Sequence, residues 1–143
     1  MKLVSKTYSR DLNRKEETFV MFAKDLANLS KCQHGQVAAV LTNFDQIYSI
    51  GINGGPKHQM DCCCNNKDAK YGCAHAEQNC LVKNNNTTDL KIMICTKACC
   101  PTCATLLVNA CANIHEFWYM EDYKDETGLK ILETAGIHVL KIE

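Results

Sequence analysis

The sequence carries no surplus of charge: 16 basic side chains balance 16 acidic ones across 143 residues. Proteins that grip a polynucleotide neutralise phosphates and carry a basic excess, so nucleic acid is not the expected partner. Aromatic residues are sparse, at 7%, which leaves few platforms for unstacked bases. No stretch reaches the roughly 20 apolar residues of a membrane span. The first fifteen residues are polar and lack the apolar centre of a signal peptide. There is no repeat, low-complexity tract or linker. The expectation is one cytoplasmic domain over residues 1–143, with no membrane partner and with enough apolar content, 46%, to fill a core.

Cysteine is abundant instead. The chain has eleven, an odd number, with no export signal. Reduced, metal-binding thiolates explain that better than disulfides do. Cys62, Cys63, Cys64 and Cys73 form one group, and Cys95, Cys99, Cys100 and Cys103 another; Cys32, Cys80 and Cys111 stand apart. Cys80 and Cys111 fall on apolar helix faces and read as packing residues, and Cys99 reads as a neighbour of the ligands rather than one of them.

Asn13 followed by Glu16 resembles a capping box, and Phe19, Phe22, Ala23, Leu26 and Ala27 repeat with helical spacing. Gln36–Leu41 and Gln46–Ile52 read as a hairpin. Residues 53–74 read as a loop, long enough to be either functional or tied down. A short helix follows from His75. From Leu90 onward the order is strand, helix, strand, helix, strand, with Pro101 in the first turn of one helix and Gly136 closing the next. That order argues for parallel pairing. The fold class expected is α/β, a three-layer α/β/α domain on a mixed five-stranded sheet. Trp118 falls in a buried strand and reads as core.

Two segments carry chemistry: His75-Ala76-Glu77 and Cys100-Pro101-Thr102-Cys103. Two cysteines three apart at a helix start can point to one side, where the helix N-terminus favours thiolates. With one imidazole they make three donors, and a catalytic zinc takes three protein ligands and keeps one position open. Zinc supplies hydroxide at neutral pH. A hydrolysis by that hydroxide then needs a group that moves protons to the departing group, and Glu77 is the candidate. Helical periodicity does not place Glu77 beside His75, so the geometry must come from the first turn. A purely structural zinc module would have no need of that acid.

The H-x-E and C-x-x-C pattern, with Cys99 where the zinc-deaminase signature has proline, resembles the deoxycytidylate deaminase branch of the cytidine deaminase superfamily. The resemblance runs from about Phe19 to Val139. It includes Val37-Ala38-Ala39-Val40, Gly51-Ile52-Asn53-Gly54-Gly55-Pro56, His75-Ala76-Glu77-Gln78-Asn79, Thr96 to Cys103, Tyr123, Gly128-Leu129 and Ala135-Gly136-Ile137. Ile52 and Ala38 depart from the family's usual tyrosine and glycine. The resemblance implies that His75, Cys100 and Cys103 bind zinc and that Glu77 shuttles protons. It implies that the Ala76 backbone lies against the pyrimidine, that Asn53 bonds the sugar, and that Cys95, Thr96 and Lys97 line the base pocket. It implies dCMP as substrate, a homo-oligomer, and a nucleotide effector such as dCTP or dTTP. Some phage members hold a second, structural zinc through cysteines at the positions of Cys32 and Cys62. Here Cys73, with Cys64, Cys63 or His58, would complete that set. The alternatives are an editing deaminase acting on cytosine or adenine in nucleic acid, and a cytidine nucleoside deaminase. Nucleoside deaminases usually present Cys where this chain has His75.

Overall fold

The computed structural model describes residues 1–58 and 71–143. Cys62, Cys63 and Cys64 lie outside the described residues. Among the described residues seven strands form one mixed sheet, in the order β2 (Ser9–Asp11), β1 (Lys2–Val4), β7 (His138–Ile142), β6 (Ile114–Glu121), β5 (Lys91–Lys97), β3 (Ala38–Thr42), β4 (Ile47–Ile52). The antiparallel hairpin β3 (Ala38–Thr42) and β4 (Ile47–Ile52) matches the reading of the sequence, as does the parallel set β5 (Lys91–Lys97), β6 (Ile114–Glu121) and β7 (His138–Ile142).

The expected count of five strands is corrected to seven. The chain opens with β1 (Lys2–Val4) and β2 (Ser9–Asp11), and β1 pairs antiparallel with β7, Leu3 opposite Ile142. Three-residue strands are too short to show an alternation, so only Leu3, fully buried, betrays this hairpin. Ser5 closes its turn: the Ser5 hydroxyl oxygen accepts from the Thr7 and Tyr8 N–H groups.

The helices cover both faces. Helix α1 (Arg14–Ala27) lies on one, over a cluster holding Ala38, Val40, Ile92, Ile94 and Trp118. Asn13 caps it, with its side-chain oxygen 2.8 Å from the Glu16 nitrogen. The other face buries Ala39, Leu41, Met93, Cys95 and Phe117 under α2 (Ala76–Lys83), α3 (Pro101–Asn109) and α4 (Thr127–Thr134). The expected three layers are present. Alternation along β5 separates the two cores: Ile92, Ile94 and Thr96 face α1, while Met93, Cys95 and Lys97 face α2 and α3. Trp118 is core, as read, with its Nε1–H donating to Glu116 at 2.7 Å.

Cys80 is buried, but Cys111 is exposed, which corrects its reading as a packing residue. Helix α3 ends at Asn109, so Cys111 lies in the turn beyond it and not on the helix face. Gly136 has φ +86°, the left-handed C′ conformation that only glycine adopts without strain. Among the described residues no helix is long and apolar enough to cross a membrane.

Candidate active site

The catalytic candidates sit at the starts of two helices. His75 is the N-cap of α2, with extended backbone at φ −76° and ψ 160°. That conformation, and not helical periodicity, turns the imidazole to the side reached by Glu77 in the first turn. Gln78 fixes it: the His75 backbone N–H donates to Gln78 Oε1 at 2.7 Å, half of a capping box. Cys100 is likewise the extended N-cap of α3, followed by Pro101, and the Cys103 N–H points at Cys100 Sγ across 3.4 Å.

His75 Nδ1 lies 3.1 Å from Cys103 Sγ and 3.4 Å from Cys100 Sγ. The three donor atoms all fall within 4.8 Å of one another. A tetrahedral zinc, with Zn–S near 2.3 Å and Zn–N near 2.0–2.1 Å, sets adjacent N and S donors at about 3.6 Å, so the set fits that ion with small adjustments. Among the described residues this is the one His, Cys and carboxylate cluster of that kind, and Cys99 is not in it. Burial pushes the Cys103 thiol well up and the Cys99 thiol up to about 12.

Glu77 is 4% exposed. Burial holds its carboxyl above the usual carboxylate range, against the opposite pull of its own backbone N–H, of His75, and of the Cys95 and Cys103 thiols. A cavity of about 370 Å³ opens over this group, lined by His75, Ala76, Glu77, Cys100, Asn53 and Lys97, among others.

The structure brings His75, Ala76, Glu77, Cys100, Cys103, Asn53 and Lys97 together. Cys95 is fully buried behind Glu77 and does not line the cavity. Thr96 faces α1 instead, where its Oγ1 accepts the Ala38 N–H at 3.1 Å and lines a separate cavity with Gln36 and Met120. The Asn53 amide is largely committed: its Oδ1 accepts from the Val37 N–H at 2.9 Å and its Nδ2 donates to the Gly35 carbonyl at 2.7 Å. It clamps the segment before β3 and still shows an edge to the cavity. His34 and Tyr123 also line the cavity. Nothing in the sequence pattern marked His34, and Tyr123 stood out only as part of the resemblance. Cys32 and Cys73 are each half-buried, with Cys32 at the cavity wall.

A close approach of α2 to β4 positions the whole first turn. A Cβ on Gly51 would meet the Ala76 carbonyl oxygen at 2.1 Å and the Cys80 nitrogen at 2.4 Å. Asn79 Nδ2 donates to the Ile52 carbonyl and Ser49 Oγ to the Cys80 carbonyl, locking the contact. Gly51→Ala should therefore displace the turn carrying Ala76 and Glu77 and destabilise the fold by roughly 1–3 kcal/mol or more. Gly54→Ala, whose Cβ would meet nothing within 4 Å, should be close to neutral. Urea unfolding of both variants checks this, and equal midpoints would refute the packing argument.

Several comparisons bear on identity. The family model described as the cytidine and deoxycytidylate deaminase zinc-binding region matches residues 13–120. A crystal structure of dCMP deaminase from the cyanophage S-TIM5, in complex with dCMP and dUMP, superposes with TM-score 0.80 at 26% identity, covering 92% of this chain and all of that one. Its apo form gives 0.74 at 27%, covering 88% and 95%. RibD of Acinetobacter baumannii shares the fold, at TM-score 0.68 and 20% identity over 90% of this chain and 35% of that one. Among curated proteins, none matches the sequence significantly. With its His, Cys, Cys donor set at the starts of α2 and α3, the chain belongs to the cytidine and deoxycytidylate deaminase family of zinc-dependent hydrolases.

Proposed function

We propose that the chain hydrolyses the amino group of cytosine in a free deoxynucleotide, converting dCMP, or a 5-substituted dCMP, to the uracil nucleotide and ammonia. The observation that carries this reading is a buried acid, Glu77, beside a three-donor cluster at the end of a nucleotide-sized cavity. The cyanophage enzyme, similar along its whole length, was crystallised with dCMP and dUMP.

His75, Cys100 and Cys103 would hold the zinc, which when bound lowers the pKa of a water toward neutrality. Glu77 takes a proton from the attacking water, delivers it to the ring nitrogen, and carries the next to the departing amine. Its burial supports this role, because burial raises the carboxyl's affinity for a proton above that of an ordinary carboxylate. The Ala76 backbone forms the wall against the pyrimidine. The clamp made by Asn53 fixes the height of the sugar, with the remaining edge of its amide available to a hydroxyl.

We infer further that a single domain over 1–143 works in the cytoplasm as a homo-oligomer. A second cavity, about 460 Å³, shares Asn53 with the first and is lined by Lys31, Lys57, His58 and Lys83. That basic lining supports a nucleotide effector such as dCTP or dTTP. The cysteine group at 62–73 supports a second, structural zinc on Cys32, Cys62, Cys73 and Cys64. The isolated bridge between Gly54 and Ala74 already brings together the chain on either side of that group.

The deciding experiment incubates purified protein with cytidine, deoxycytidine, CMP, dCMP, dCTP, 5-methyl-dCMP and a single-stranded oligonucleotide. A 5′-monophosphate should be preferred strongly over its nucleoside. Equal efficiency on deoxycytidine and dCMP would refute the nucleotide reading, and activity on the oligonucleotide alone would replace it with an editing enzyme.

A further inference from the structure

We propose that Lys97, beside the Tyr123 ring in the wall of the catalytic cavity, is the side chain that selects a 5′-phosphorylated substrate. The inference rests on the nucleotide reading above and adds the residue that enforces it. Lys97 follows Cys95 by two positions on β5, so it projects from the same face, about 6.6 Å further along the strand. Cys95 packs behind Glu77, where the base reacts. Lys97 therefore stands one step away from the reacting end, where the phosphate of a nucleotide hangs beyond its sugar. Among the described residues lining the cavity, it is the only Lys or Arg.

Its surroundings leave the ammonium available. Nζ lies 5.8 Å from the centroid of Tyr123, a half-buried ring that also lines the cavity. The neighbouring acids do not claim it. Glu121 is opposite in the parallel register but makes no ion pair with it, Asp122 binds Lys141 at 2.7 Å, and Asp125 accepts from the Thr127 N–H. Glu77, the one carboxylate among the described residues of the cavity wall, belongs to the reacting end. A half-buried lysine with no carboxylate partner among the described residues, held over an aromatic face, gains most from a doubly charged ligand, because a charge-assisted contact is stronger away from bulk water.

The test compares the parent, Lys97→Met and Lys97→Arg, all zinc-loaded, in steady-state kinetics on dCMP and deoxycytidine, with calorimetric binding of dUMP and deoxyuridine. Lys97→Met should reduce the selectivity for dCMP over deoxycytidine by roughly 10–100-fold, through KM and not kcat, with a matching loss of dUMP affinity relative to deoxyuridine. Lys97→Arg should restore most of it. A parent that prefers dCMP, paired with a Lys97→Met variant of unchanged selectivity, would overturn the phosphate assignment and leave the substrate reading standing. A parent that neither deaminates dCMP nor binds dUMP more tightly than deoxyuridine would overturn both.

Discussion

Glu77→Gln should abolish turnover, by at least the roughly 10²–10⁴-fold that general acid–base catalysis contributes, while the protein keeps its zinc. The two halves of this result come from different observations. Glu77 is not one of the three clustered donors, so removing its charge leaves the ligand set whole. Its carboxyl is buried against the Cys103 and Cys95 thiols, on the wall where the base must sit. Glutamine keeps the volume and can still hydrogen-bond, but it cannot take up a proton from water and pass it on. The substitution thus separates proton transfer from packing and from metal binding. Elemental analysis and single-turnover rates on dCMP measure the two halves. A Glu77→Gln protein within a few-fold of the parent would mean that another group moves the protons.

Much of the site was legible because its residues are close in sequence to helix starts. The C-x-x-C spacing at Pro101 needs only the geometry of one helical turn, and the structure provides it. The partnership of His75 with Glu77 was not legible from periodicity, because it depends on the extended N-cap at His75, a single ψ angle. The assignment of Cys95 and Thr96 to one pocket ignored the pleat: adjacent strand residues face opposite sides, so Thr96 points at α1. Leu90 and Lys91 show the same limit from another direction. Hydropathy would bury Leu90 and expose Lys91, yet Leu90 is 54% exposed and Lys91 is fully buried. The Lys91 ammonium satisfies the Asp89 and Ala112 carbonyls, each at 2.8 Å, and lies 4.8 Å over the Tyr48 ring. The Asp89 carbonyl is local, but the Ala112 carbonyl and the Tyr48 ring reach Lys91 only in the folded chain, so no local pattern announces the burial. The terminal hairpin escaped for the opposite reason: its strands are local but too short to carry a period.

Removing zinc should weaken the fold as well as end catalysis. The donors of the catalytic set come from the N-cap of α2 and from the N-cap and third residue of α3, so the ion ties together two helices. At free zinc about 100 times its dissociation constant, binding stabilises the folded state by about 2.7 kcal/mol, worth roughly 10 °C in a domain of this size. Cys100→Ser should lower the melting temperature to that extent and remove activity, and exhaustive chelation, which strips every ion, should lower it at least as far. Metal uptake must also displace protons, because the ligand sulfurs bind as thiolates, and burial pushes the Cys103 thiol up. The sign follows: protons compete increasingly as pH falls, so zinc affinity should drop on acidification and rise toward alkaline pH. Counting ions separates the two sites. Replete parent should carry about two zinc ions per chain if the cysteines around residues 62–73 hold a structural one. Cys100→Ser should then lose the catalytic ion alone, and Cys62→Ser the structural one, with stability lowered. A parent holding one ion, unchanged by Cys62→Ser, would reduce the second group to ordinary thiols. Zinc affinity that is flat with pH would mean that Cys100 and Cys103 are not the ligands.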